Sequence, residues 1–171
     1  MSTRPVPEYD ESRWLLKALR ETAHELGSQL WGLDEDDLRW RPCDDGWCLK
    51  EIAAHLRDCE EHFVRALEAI AYQDAPCIAA FDADALVLER DYREGDVYET
   101  LEQLEHLRYR SVNLLWNLDE DGWERIGVHP YLGPVSIARL AREQNEHDLE
   151  HLWQARRVRA ALAERVPARR R

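Results

Sequence analysis

Four separate stretches of this chain carry apolar residues at the helical period, and none carries a convincing alternation of period two. The first runs from about Ser12 to Leu30, with Leu15, Leu19, Thr22, Leu26 and Leu30 on one stripe and Asp10 or Ser12 placed to cap it. The second runs from near Cys48 to about Tyr72, its stripe being Ile52, His55, Leu56, Cys59, Phe63, Ala66, Leu67 and Ile70. The third follows Gly95-Asp96 and carries Leu101, Leu104, Leu107, Ser111, Val112, Leu115 and Leu118. The fourth opens at Ser136, after the breaker Gly133-Pro134, and is expected to stop before Pro167. Its stripe reads Ile137, Leu140, Ala141, Gln144, His147, His151, Ala155, Val158 and Leu162, and Val135 and Leu140 are spaced as a hydrophobic staple.

Helices that are apolar on one side only must bury that side against one another. The expected fold is therefore all-α: a four-helix bundle in a single domain over residues 1–171, with 1–10 and 166–171 as frayed tails. The connections, around residues 31–46, 73–95 and 119–135, are long enough to cross the bundle ends, which leaves the helix order open. Residues 82–94 are a candidate for a further short helix.

A net charge of −12 argues against nucleic acid, which calls for a basic face. The one basic cluster, Arg165 with Arg169 to Arg171, reads as a solvated tail. No apolar run approaches the ~18 residues of a membrane span. The start, MSTRPVPEYDESR, lacks the apolar core of a secretory signal. A cytoplasmic location is expected. Cys43, Cys48, Cys59 and Cys77 form no C-x-x-C pair and are read as reduced thiols.

The inward stripes contain histidines. His147 and His151 are four residues apart, hence ~40° and ~6 Å apart on one helix face, so both can reach one ion. His55 shares its stripe with Ile52, Leu56 and Phe63. Spacing alone leaves two readings, a metal held by three imidazoles or a hydrogen-bonded histidine cluster; burying three imidazoles together needs a cation or several acceptors. HDLEH also matches the inverted zincin pattern, with Glu150 as general base. That enzyme type takes its third ligand from well downstream, and no acidic residue follows Glu164. His24, His106 and His129 have no partner at useful spacing and read as solvated or capping residues.

The runs DGWCLKEIAAHLRDCE and HPYLGPVSIARLAREQNEHDLEHLWQARRV resemble the second and last helices of the DinB/YfiT-like superfamily. The resemblance implies a four-helix bundle, a metal on His55, His147 and His151, and often a homodimer. It also implies a mixed function: some relatives transfer or isomerise groups using low-molecular-weight thiols, and others have no assigned reaction. One departure is Cys48, where the family has a capping Ser, which weakens the box with Glu51.

Three imidazoles suit one divalent transition metal, Zn or Ni first, with Cu and Fe also compatible. They leave an open position, which can acidify water for hydrolysis or bind a thiol as its thiolate. The expected function is thus a metal-dependent thiol S-transferase or hydrolase acting on a small molecule, possible thiol cofactor included. The alternative is a non-enzymatic, dimerising bundle that binds metal or a small molecule, as a stress-response module would. Asp148, Gln144 and Asp58 are candidates to orient the imidazoles or act as base; His62, Cys59 and Trp47 are candidates for the pocket wall. Cys59 has two readings, a fourth ligand that closes the site or a small packing residue. Trp153 also flanks a ligand helix, and the remaining Trp residues read as core and loop packing. His147→Ala or His55→Ala is expected to remove most bound metal while His106→Ala retains it, which elemental analysis of purified protein reads directly.

Overall fold

The computed structural model describes residues 8–169. Its four long helices are α1 (Glu8–Leu30), α3 (Leu49–Tyr72), α5 (Val97–Trp116) and α7 (Ile137–Arg169). Short helices occupy the connections: α2 (Glu35–Leu38), α4 (Ala83–Glu89), which is the expected extra helix, and α6 (Glu120–Glu124). α1 and α3 each pack against both α5 and α7, so the order around the bundle is α1, α5, α3, α7. The sequence neighbours α1 and α3 therefore lie diagonally opposite. No described helix is long and apolar enough to cross a membrane.

Local chemistry sets the helix ends. Asp96 caps α5 by accepting the N–H groups of Tyr98 and Glu99. Ser136 Oγ accepts the Arg139 N–H at 3.3 Å at the start of α7. At α3, Glu51 accepts the Cys48 N–H at 2.8 Å and is itself clamped by Arg41, so the capping box persists with sulfur in place of the hydroxyl.

Three expectations are corrected. α1 starts at Glu8 and α7 runs through Pro167 to Arg169, so part of each expected tail is helical; residues 1–7 and 170–171 lie outside the described residues. Pro167 falls two residues before the helix end, where its missing N–H removes one terminal bond. Second, a β-hairpin joins α6 to α7, β1 (Ile126–His129) pairing antiparallel with β2 (Gly133–Ser136). Its inward position is Gly127, where an added Cβ would come within 2.7 Å of Ile70 Cγ1, so only glycine lets β1 pass α3. Third, Trp14, Trp31 and Trp116 are exposed rather than packed, while Trp123 is buried.

The interior has two apolar clusters stacked along the bundle. One holds Leu19, Phe63, Leu67, Leu115 and Ile137; the other holds Leu26, Leu49, Ile52, Leu104 and Val158. Between them lies a buried polar layer. Arg108 on α5 pairs with Asp148 on α7 at 2.6 Å and Glu60 on α3 at 2.8 Å, and donates to the Leu19 carbonyl on α1 at 3.0 Å. Ser111 donates to Glu60, and Gln144 donates to Asp148 at 3.0 Å. On α5 the expected stripe is buried at Leu104, Ser111 and Leu115, and Arg108 joins it in the core while Leu107 is only partly buried.

Removing one partner of a buried ionic cluster leaves the others uncompensated. Arg108→Met is expected to lower the unfolding free energy by about 3–5 kcal/mol, read from the shift in urea midpoint.

Candidate metal centre

α3 supplies His55 and Cys59 to this layer, one turn apart, and α7 supplies His147 and His151 with the same spacing. The three imidazoles meet. Ring centroids are 4.5 Å apart for His55 and His151, 4.6 Å for His147 and His151, and 5.1 Å for His55 and His147. His55 Nε2 and His147 Nε2 lie 3.0 Å apart, and Cys59 Sγ lies 3.5 Å from the first and 3.9 Å from the second. Two imidazole nitrogens this close either share a proton or face a common cation.

His147 and His151 are both half-buried, and the orientation of His151 is set from outside. Gln154 Oε1 is 2.8 Å from His151 Nδ1, so Nδ1–H donates to the amide and Nε2 keeps its lone pair. Trp47 stacks on His151 at 5.6 Å with its plane 11° away, and meets His55 edge-on at 4.9 Å. The indole thus walls the pair on one side. On another side an open depression of about 600 Å³ is lined by Glu150, His151, Trp153, Gln154 and Arg157. A larger cavity of about 740 Å³, between the start of α1 and α6, contains none of the histidines.

Burial, with the neighbouring imidazoles adding to it, pushes the His55 pKa down to about 3. His147 is also lowered, by burial first and His151 second, with Asp148 acting in the opposite direction. Both rings are therefore neutral at neutral pH, the form that ligates metal. His147 Nδ1 is buried with no hydrogen-bond partner among the described residues.

A metal ion is implied by this arrangement, and the donors fit one. His55, Cys59 and His147 each offer a ligand atom within 4.8 Å of the others. Imidazole and thiol donors suit a borderline or soft divalent transition metal and not Mg²⁺ or Ca²⁺. His151 adjoins them by its ring, with centroids 4.5 Å from His55 and 4.6 Å from His147 on the depression side, but its nitrogens fall outside that set of donor atoms.

The other candidates have different partners. Asp148 is fully buried and turned to Arg108 and Gln144; Gln144 bonds Asp148 and, at 3.4 Å, Glu60. Asp58 takes Arg90 and the Tyr92 hydroxyl, anchoring the connection between α4 and α5 on α3. His62 stacks on Phe81 at 4.5 Å, away from the imidazole triangle. His129 Nδ1 accepts the Tyr131 and Leu132 N–H groups, a capping role as expected. The sequence reading missed Glu60, Arg108 and Gln154. Only Gln154 had a usable signal, lying three residues after His151 on the same face.

A family model for the DinB superfamily matches residues 15–155. A protein of Oceanobacillus iheyensis provisionally named a metal-dependent hydrolase is 23% identical over 143 residues, covering 84% of this chain and 82% of that protein. A protein of the same provisional name from Geobacillus thermodenitrificans is 27% identical over 118 residues, covering 68% and 65%. Among solved structures, YfiT of Bacillus subtilis, described as a "probable metal-dependent hydrolase with an unusual four-helix bundle topology", superposes with a TM-score of 0.84 at 18% identity, covering 95% of this chain and 94% of that one. The helical bundle is thus that of a known fold, and this chain belongs to the DinB superfamily.

Proposed function

We propose that this protein holds one divalent transition metal on His55, His147 and His151 and hydrolyses a small molecule that enters through the depression beside His151. The observation that carries the reading is the meeting of three imidazoles, two of them held neutral by burial, at the edge of an open depression. The provisional names of the relatives supply the reaction class. A bound ion would contribute Lewis acidity at the floor of the depression. The chain's own residues do the rest: Gln154 fixes the tautomer of His151, Trp47 excludes water from the His55 side, and Glu150 and Arg157 line the entrance. Transfer to a low-molecular-weight thiol would use the same donors and the same entrance.

A second reading, a metal-binding bundle without a reaction, is favoured by Cys59, which brings a further protein donor to the imidazoles. Closed shells of four protein donors are typical of structural ions.

The reaction is tested on purified protein with ester, amide and thiol-conjugation model substrates. Turnover that chelation abolishes and one equivalent of a transition metal restores is the expected result. Stoichiometric metal without turnover on any of them would favour the second reading.

The lowered pKa of His55 also gives a signed pH dependence. The unfolded chain takes up a proton at its ordinary 6.5, whereas the fold resists protonation down to about 3. Between those values the unfolded state binds more protons, so the metal-free fold loses stability as pH falls through the window. Thermal melts of apo protein are expected to show a midpoint that falls with pH below about 6.5, with a shallower slope in His55→Leu.

A further inference from the structure

We infer that Cys59 is itself a ligand, so that the ion rests against one thiolate as well as the imidazoles. The inference rests on the bound metal that both functional readings above share, and adds a donor to its shell.

The geometry is that of a coordination shell. Metal–nitrogen bonds of ~2.0–2.1 Å and a metal–sulfur bond of ~2.3 Å, set at tetrahedral angles, put two nitrogens ~3.3 Å apart and a nitrogen and sulfur ~3.6 Å apart. The corresponding separations here are 3.0 Å between His55 and His147 Nε2, and 3.5 and 3.9 Å from these to Cys59 Sγ. All three edges of one tetrahedral face are present before any ion is added. Cys59 is buried but is a member of neither apolar cluster, and its sulfur lies beside the two imidazole nitrogens. Its position one turn after His55 means that one helix face delivers both donors.

Two consequences follow. As the metal–sulfur bond forms, the thiol proton leaves to solvent, and the ion's charge is partly offset within its own shell. A thiolate also selects softer ions, Zn²⁺, Co²⁺ and Cd²⁺, over harder oxygen-seeking ones. An ion held on His55, Cys59 and His147 would have His151 beside it, on the side of the depression.

The test is optical. Metal-free full-length protein is titrated with Co²⁺, alongside Cys59→Ser and, as control, Cys77→Ser at an exposed cysteine. Wild type and Cys77→Ser are expected to show visible d–d bands of a four-coordinate ion together with a near-ultraviolet sulfur-to-cobalt charge-transfer band. Cys59→Ser is expected to keep the visible bands and lose the charge-transfer band. Should Cys59→Ser not fold, X-ray absorption of zinc-loaded wild type decides the matter by the presence of a sulfur shell at ~2.3 Å. Visible bands in wild type without the charge-transfer band would overturn the Cys59 assignment and leave the three-histidine site standing. A wild type that takes up no Co²⁺ would overturn both.

Discussion

One guanidinium joins all four helices of the bundle. Arg108 projects from α5 and reaches Glu60 on α3, Asp148 on α7 and the Leu19 carbonyl on α1. Each carboxylate sits next in sequence to a donor of the metal centre, Glu60 after Cys59 and Asp148 after His147. Fixing the carboxylates on Arg108 therefore fixes the rotation of α3 and α7 about their own axes, and with it the direction in which the donors point. The candidate metal centre is oriented by an ion cluster that contributes no donor to it.

Such a cluster is not the most stable filling for a bundle interior. Burial raises the pKa of Glu60 against the pull of Arg108, with Asp148 adding to the rise, which shows how strongly the site resists a second negative charge. Apolar residues of similar volume often match or exceed a buried ion cluster in stability. What they do not supply is registry: an apolar stripe tolerates sliding, whereas one guanidinium holding two carboxylates and a carbonyl ties three other helices to one position, with its Nε left without a hydrogen-bond partner among the described residues. Placed between two apolar clusters, the cluster fixes the axial alignment of the helices on either side.

Much of this was legible in the chain because hydropathy reports it. The stripes of α1, α3 and α7 mark inward faces on which Leu19, Leu26, Ile52, His55, Cys59, Leu67, Ala155 and Val158 are buried. Where the inward residue is charged, the same signal fails: Arg108 reads as a surface residue and Leu107 as a core one, since only the carboxylates and carbonyl it meets explain why Arg108 lies inside. The hairpin was hidden for a related reason, because its inward residue is Gly127 and the flanking Ile126 and Val128 face outward, inverting the alternation. Ligand spacing within a helix was readable for His147 and His151. That His55 and Cys59 meet them depends on the order of helices around the bundle, which long connections leave undetermined.

That order separates in sequence what it joins in space. His55 and His147 touch across 92 residues, and two of the three imidazoles arrive on the last described helix. Contacts of such long range form late, after the local helices they depend on. During synthesis α3 leaves the ribosome with His55 and Cys59 in place and no partners, and α5 must emerge before Arg108 can orient anything. A bound ion would therefore find no complete site on the growing chain, and would join the finished bundle as a seal on folding rather than as its nucleus.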